Sequence, residues 1–299
     1  MFSVVKPLLL YGVTSVHAGS GSDLGVVDLP IQREQHTGYP KIEGSSLKGA
    51  IRAHVSSLVE EDAKVEAVFG SELAANNESS VAGAVSFSDA RILLFPIRSM
   101  RGVFAYITCP HVLQRFNQEL ETFAPDYPLL PVPEPNTISA SALLVGNSEK
   151  IVLEEYTYDV QVDQTTQQLA EQLEAIIFTT ATGKGRLANR LVVLPDDDFS
   201  DFVQLSTEVN ARTKIDPETG TVKEGGLWYE ENLPPESVLY SFVFFGESRM
   251  DQDKPFVSVE EIVSYLEDDQ VFSPVFQLGG NSTIGRGMIR RIWFPKEEI

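Results

Sequence analysis

The sequence has a single cysteine in 299 residues, Cys109. One thiol excludes an internal disulfide and any metal site built from several cysteines. Cys109 ends the apolar run 104–109, so a buried thiol is expected there rather than a nucleophile. Long hydrophobic runs are missing too. The stretch 4–13 is too short for a membrane span and has no export-cleavage pattern. With the lone cysteine, this sets the expectation of a cytoplasmic protein without a membrane partner. Familiar catalytic signatures are absent: no Gly-x-Ser-x-Gly elbow, no His-Glu-x-x-His, no paired-cysteine zinc spacing and no Gly-Lys-Ser/Thr phosphate loop. There is no repeat at solenoid spacing and no low-complexity segment.

Positive charge is scarce. Lys and Arg number 23 against 43 Asp and Glu, a net charge of −20, while 42% hydrophobic residues supply core for one large domain or two modest ones. This acidity argues against indiscriminate nucleic-acid binding. The cations are nevertheless clustered: Lys41, Lys48 and Arg52; Arg98 and Arg101; Lys184, Arg186 and Arg190; Arg286, Arg290 and Arg291. An acidic body with local basic tracks suits a protein that holds one polyanion in a defined groove; chance clustering is the plain alternative. The acidic bunches at Glu60-Glu61-Asp62, Asp196-Asp197-Asp198 and Glu267-Asp268-Asp269 read as solvated faces or helix starts.

Glycine is concentrated near the C-terminus, in Gly279-Gly280-Asn281-Ser282-Thr283-Ile284-Gly285-Arg286-Gly287. The loop lies between strand-like runs at 274–278 and 288–294. Glycines let backbone N–H groups approach a ligand, and an arginine adds a phosphate donor. Such a loop is either an anion-holding concavity or an ordinary hairpin turn. A second candidate anion site is a helix starting at Ser45 or Ser46 as N-cap, with Leu47, Ile51, Val55 and Leu58 as its buried stripe. Lys48 and Arg52 are four residues apart on its first turns and share a face. That face is either a phosphate site at a helix N-terminus or a solvated basic face.

The rest of the chain alternates strands and helices. Strands are expected over 2–16, 85–95, 102–108, 151–162, 191–194 and 238–245, and helices over 111–123, 167–178 and 257–266. Ser258 with Glu261 forms a capping box for the last helix. Two β-rich runs, 204–214 and 221–229, flank the turn Asp216-Pro217-Glu218-Thr219-Gly220 and predict a projecting hairpin. This order is α+β and compatible with a ferredoxin-like core. The long loop 23–44 carries Asp28 just before Leu29-Pro30. An aspartate near a phosphodiester can hold a divalent ion or orient a 2′-hydroxyl; a local turn before proline is the alternative.

The run Asp28-Leu29-Pro30-Ile31-Gln32-Arg33, continuing to Gly44-Ser45-Ser46-Leu47-Lys48-Gly49, resembles the N-terminal signature of the RAMP proteins of type III CRISPR effectors. More narrowly, the chain resembles the backbone-subunit family of type III-B, or Cmr, complexes. Further matches follow in order: His17-Ala18-Gly19-Ser20-Gly21, Phe69-Gly70-Ser71, Phe87-Ser88-Asp89-Ala90-Arg91, Phe95-Pro96-Ile97-Arg98-Ser99, Tyr229-Glu230-Glu231-Asn232-Leu233-Pro234 and the glycine loop. The resemblance implies one RAMP domain over 1–299, a modified ferredoxin-like palm, and a β-hairpin thumb at about 204–236. It implies several copies stacked along a CRISPR RNA, with the large Cas10-type subunit, the small subunit and other RAMP subunits as partners. Ser45, Ser46, Lys48, Arg52, Gly279, Gly280, Thr283, Gly285 and Arg286 would bind the guide. Target RNA would be cut with a divalent metal, Mg or Mn, at Asp28, with His17, Glu230 and Glu231 near that centre. Two other readings stay open: a non-cutting RNA scaffold, and a small-molecule phosphate-binding enzyme, which would leave the hairpin unexplained.

Overall fold

The computed structural model describes residues 2–23, 25–71, 81–180, 183–250 and 254–296. In chain order it places β1 (Phe2–Gly12), β2 (Lys41–Ile42), α1 (Gly44–Leu58), α2 (Asp62–Phe69), β3 (Val85–Phe87), β4 (Ala90–Arg98), β5 (Phe104–Thr108) and α3 (Pro110–Phe123). Then come β6 (Thr137–Ile138), β7 (Lys150–Leu153), β8 (Tyr156–Asp159), β9 (Gln161–Val162), α4 (Gln164–Ile177), β10 (Leu191–Val193) and α5 (Asp196–Leu205). The last third holds β11 (Glu208–Ile215), β12 (Val222–Asn232), β13 (Val238–Gly246), α6 (Val259–Glu267), β14 (Val275–Gln277) and β15 (Met288–Trp293).

The main sheet runs β14-β15-β1-β13-β4-β5-β10-β6-β9. Its centre is the antiparallel pair β1 and β13, in register from Val4 opposite Phe245 to Tyr11 opposite Val238. Leu8, Leu9 and Leu10 are fully buried, and so are Tyr240, Phe242 and Phe245. Consecutive rather than alternating buried residues mean that both faces are covered. Helices supply the cover, with α3 packing on β4, α6 on β13 and α4 on β10. Cys109 is fully buried, and burial pushes its thiol up to about 12, which makes it a structural side chain. Among the described residues no helix is long and apolar enough to cross a membrane.

Several boundaries differ from the sequence expectation. The 85–95 run breaks at Ser88 and Asp89, where a close pass by Gly44 bends the chain: a Cβ on Gly44 would collide with the carbonyl of Phe87. The 151–162 run folds into a hairpin plus a short strand. The triple aspartate opens α5, which takes in residue 204, so the projecting hairpin begins only at Glu208. Leu58 is 48% exposed at the end of α1, outside the buried stripe of Leu47, Ile51 and Val55. Ser258 caps α6 by accepting from Glu261 N–H, and the Glu261 carboxylate reaches one residue further back than a capping box requires, to Val257 N–H.

The hairpin is a separate two-stranded sheet of β11 and β12. Pairing Ala211 with Tyr229 and Thr213 with Leu227 sorts its side chains onto two faces. One face presents Val209, Ile215, Val222, Leu227 and Tyr229, each 43–54% exposed. The other carries Asn210, Arg212, Lys214 and Trp228. Its cationic side turns toward the glycine loop, where Arg212 reaches the Asn281 side-chain oxygen at 3.4 Å.

Candidate nucleic-acid interface

At the base of the hairpin, β12 pairs with β11 along one edge and leaves the other free. Residues 229, 231 and 233 turn their N–H and C=O groups to that free edge, since backbone direction repeats every second residue. Two distant segments fill it. Leu29 donates to the Tyr229 carbonyl at 3.0 Å and accepts from Glu231 N–H at 3.0 Å. Val16 exchanges both bonds with Leu233, at 3.0 and 2.9 Å. The long loop is thereby anchored at Leu29, whose backbone N–H and C=O both bond to this edge.

This zipper brings Asp28 and His17 to one short strand. The Asp28 carboxylate accepts from Tyr229 N–H at 2.7 Å through Oδ2 and makes no ion pair with any described residue. His17 Nδ1 lies 2.7 Å from the Glu231 carbonyl oxygen. A carbonyl can only accept, so Nδ1 carries the proton and Nε2 of the neutral ring keeps a lone pair.

Glu230 and Glu231 join the same constellation differently. They are only 4% and 6% exposed. Glu230 accepts from Asn281 Nδ2 at 2.6 Å and from Arg286 Nη1 at 3.2 Å. Glu231 takes Arg33, Thr207 Oγ1 at 2.7 Å and Ile31 N–H at 3.0 Å. Both carboxylates are thus engaged as braces, one toward the glycine loop and the other toward the Asp28 loop.

The two candidate anion sites also meet. Ser45, Ser46, Gly49, Ala50, Ala53 and His54 of α1 face Gln277 and Gly279 across a groove of about 450 Å³. Small side chains line it, so a ligand backbone can come close. The expected roles of individual residues need correction. Ser45 and Ser46 are not the N-cap: α1 starts at Gly44, Glu43 is the cap position, and no side chain of the serines caps the helix. The first free N–H, on Gly44, is taken by Asp89 Oδ1 at 2.9 Å. Burial alone would raise the Asp89 carboxyl, but hydrogen bonds from Lys41 and Gly44 hold it below the usual carboxylate value. Ser46 instead accepts from Gln32 Nε2 at 3.2 Å.

Lys48 is not on a freely solvated face. Its Nζ donates to the Val85 carbonyl at 2.9 Å. Burial, then the positive charges of Arg52 and Arg249, lowers its pKa. Arg286 does not extend from the loop as a free phosphate donor, because Glu230 holds it. In the loop itself, Gly280, Ile284, Gly285, Arg286 and Gly287 already spend their N–H groups on carbonyls of the chain. Thr283 sits in a single 3₁₀ turn, 282–284. Gly279, Gly285 and Gly287 all have φ between 77° and 85°, a region that favours glycine.

Sequence reasoning missed Gln32, Arg33, Asp89, Thr207 and Asn281, which frame this region. Gln32 and Arg33 lay inside the run that carries the resemblance, yet nothing local says which carbonyl or carboxylate they reach. Among the described residues no three His, Cys, Asp or Glu side chains converge into a metal-holding group.

A family model described as the RAMP superfamily matches residues 9–290. The chain is 38% identical over 288 residues to the CRISPR system Cmr endoribonuclease Cmr4 of Pyrococcus furiosus, covering 94% of this chain and 92% of that one. It is 28% identical to the CRISPR system CMR subunit Cmr4 of Saccharolobus solfataricus, covering 98% and 97%. Among solved structures, oligomeric Cmr4 from Pyrococcus furiosus superposes with a TM-score of 0.68 at 28% identity, over 99% of this chain and 100% of that one. A chain of the type III-B Cmr-beta complex bound to cognate target RNA shares the fold, with a TM-score of 0.75 at 22% identity over 98% of each chain. The mixed sheet with its covering helices is therefore the ferredoxin-like RAMP palm, and the chain belongs to the RAMP superfamily and, within it, to the Cmr4 family.

Proposed function

We propose that this chain is the backbone subunit of a type III-B CRISPR ribonucleoprotein. Several copies line up along a CRISPR RNA, together with the other Cmr subunits, and cut complementary target RNA at regular intervals in the cytoplasm. The observation that carries this reading is the convergence of Asp28 and His17 on residues 229–231, next to the glycine loop that closes the α1 groove. The guide backbone lies in that groove, and the hairpin inserts its apolar face between bases.

Gly49 supports the groove assignment. It is exposed in the middle of α1, where glycine costs about 0.8–1 kcal/mol relative to alanine. A Cβ there would meet nothing within 4 Å, so packing inside this chain does not require glycine. Close approach of a ligand does.

Asp28 acts as the base for the target 2′-hydroxyl. As its proton passes to Asp28, the 2′-oxygen attacks the adjacent phosphorus and the P–O5′ bond breaks; the departing 5′-oxygen takes a proton from water, leaving a 2′,3′-cyclic phosphate and a 5′-hydroxyl. The residues fit a magnesium or manganese ion only if it is shared with substrate: Asp28 would be its protein ligand, with phosphate oxygens and water completing the shell. Such an ion supplies positive charge to the reacting phosphate.

The test is purification followed by reconstitution. The protein should carry RNA and form filaments, and the complete complex should cut target RNA at evenly spaced positions. A clean RNA-free monomer would support the small-molecule enzyme. RNA retention without cutting would leave the scaffold reading.

Two glycine variants separate loop structure from RNA contact. Gly285 has φ 77° but open space around its Cβ, so Gly285→Val should cost about 1–2 kcal/mol of loop strain and leave the fold intact. RNA retention, read from the absorbance of the purified protein, should still drop. Gly279→Ala should be worse on both counts, because its Cβ would clash with the His17 carbonyl. If both variants retain RNA normally, the loop is only a turn.

A further inference from the structure

Asp28 and His17 both hang from backbone atoms of one short strand, so whatever fixes that strand sets the distance between them. We infer that Arg33 is a positioning residue for target cleavage, acting through Glu231 and not through RNA. This inference rests on the role proposed above for Asp28.

The Arg33 guanidinium spans three separate pieces of the chain. Nη1 donates to the carbonyls of Gly38 at 2.8 Å and Val203 at 3.1 Å. Nη2 donates to the carbonyl of Gln204 at 3.5 Å and to Glu231 Oε1. Val203 and Gln204 lie in the last turn of α5, whose free carbonyls and negative dipole end favour a cation. Gly38 closes the small turn of Arg33's own loop. Glu231 belongs to β12. One side chain thereby ties the Asp28 loop to the end of α5 and to the base of the hairpin.

Glu231 completes the joint from the other side. Its carboxylate side chain is 7% exposed and receives three donors from two segments: Ile31 N–H and Arg33 of the Asp28 loop, and Thr207 ahead of β11. The carbonyl of the same residue accepts from His17, and the N–H of Tyr229, two residues earlier, binds Asp28. The two candidate cutting groups and the buried ion pair therefore share three consecutive residues.

The geometry also decides against a phosphate-binding role for Arg33. Both terminal nitrogens are committed to oxygens of this chain, and the acid it pairs with is buried. Lysine could not replace it, because a single ammonium cannot span two helix-end carbonyls, a turn carbonyl and a carboxylate at once. Without the fork, Glu231 keeps a buried charge with one fewer donor and the strand relaxes. A shift of about 1 Å at reacting groups can cost on the order of 10²-fold in rate.

The experiment uses the reconstituted complex with labelled target RNA under single-turnover conditions. Arg33→Lys is expected to slow cleavage about 10- to 100-fold while target affinity and its salt dependence stay within twofold of the parent. Glu231→Gln should act similarly, and the double variant should be little slower than either single one, because both remove the same joint. Millimolar guanidinium ion, well below denaturing concentrations, should restore part of the rate of Arg33→Ala and none of the rate of Asp28→Asn. Three results would overturn the inference: parental cleavage by Arg33→Lys, a drop of about one in the salt slope of RNA binding, or fully additive rate losses. Asp28→Asn run alongside keeps the two readings apart. Normal cutting by that variant defeats the Asp28 assignment, whereas its inactivity next to a fully active Arg33→Lys defeats the positioning role alone.

Discussion

Asp28→Asn is expected to leave assembly, guide loading and target capture intact while slowing target cleavage about 10²-fold or more. The substitution keeps shape and leaves an oxygen able to accept from Tyr229 N–H, the 2.7 Å bond that holds the side chain in place. What is lost is the negative charge, and with it the capacity to take the proton of a 2′-hydroxyl or to attract a divalent ion. Removing divalent ions from the parent complex should give the same phenotype if an ion is shared between Asp28 and the target phosphate. His17→Ala should cost less, since its Nε2 lone pair can only assist a step already set by Asp28 and the backbone. A time course comparing these proteins on one labelled target is decisive. Cutting by Asp28→Asn at the parental rate would move the base to another residue or favour the scaffold reading.

What could be read in the sequence was what depends on neighbours along the chain. The glycine cluster, the Asp216–Gly220 turn, the apolar run of β13 and the Ser258 cap are short-range signals, and the structure contains each of them. What could not be read was the choice of partner by each charged side chain. Asp89 caps α1 from 45 positions away, a job the sequence seemed to give to Ser45 and Ser46. Arg286 turns to Glu230 across 56 positions, and Lys48 turns to a carbonyl on β3. A helical stripe predicts which residues face the core but is silent about which carbonyl lies above a lysine. The 23–44 segment illustrates the same limit. Its polar and special residues read as a long loop, yet the free edge of β12 supplies bonds for its backbone at Leu29.

Glu34→Ala should be the most destabilising change in that segment, and it tests the inward half of the same anchor. Arg33 faces the hairpin base, whereas its neighbour Glu34 turns into the palm. The Glu34 side chain is 5% exposed and accepts from Arg115 Nη1 at 3.0 and 2.8 Å and from Thr37 Oγ1 at 2.6 Å. Arg91 approaches to 3.5 Å. Besides Glu34, the Arg115 guanidinium lies 5.9 Å from the Tyr39 ring centre, and its Nε and Nη2 are buried without a hydrogen-bond partner. Truncating Glu34 leaves a buried guanidinium without its hydrogen-bonded counter-charge, with only Glu119 still acting on it, a loss worth about 3–5 kcal/mol. In a chain of this size that corresponds to a melting temperature roughly 6–10 °C lower. Burying two charges is itself costly, so replacing both partners should hurt less than removing one. Glu34→Leu combined with Arg115→Met should therefore recover much of the loss. Calorimetry of the isolated subunit reads both variants. An unchanged melting temperature for Glu34→Ala, or a double variant less stable than the single one, would show that this pair does not hold the Asp28 loop against the palm.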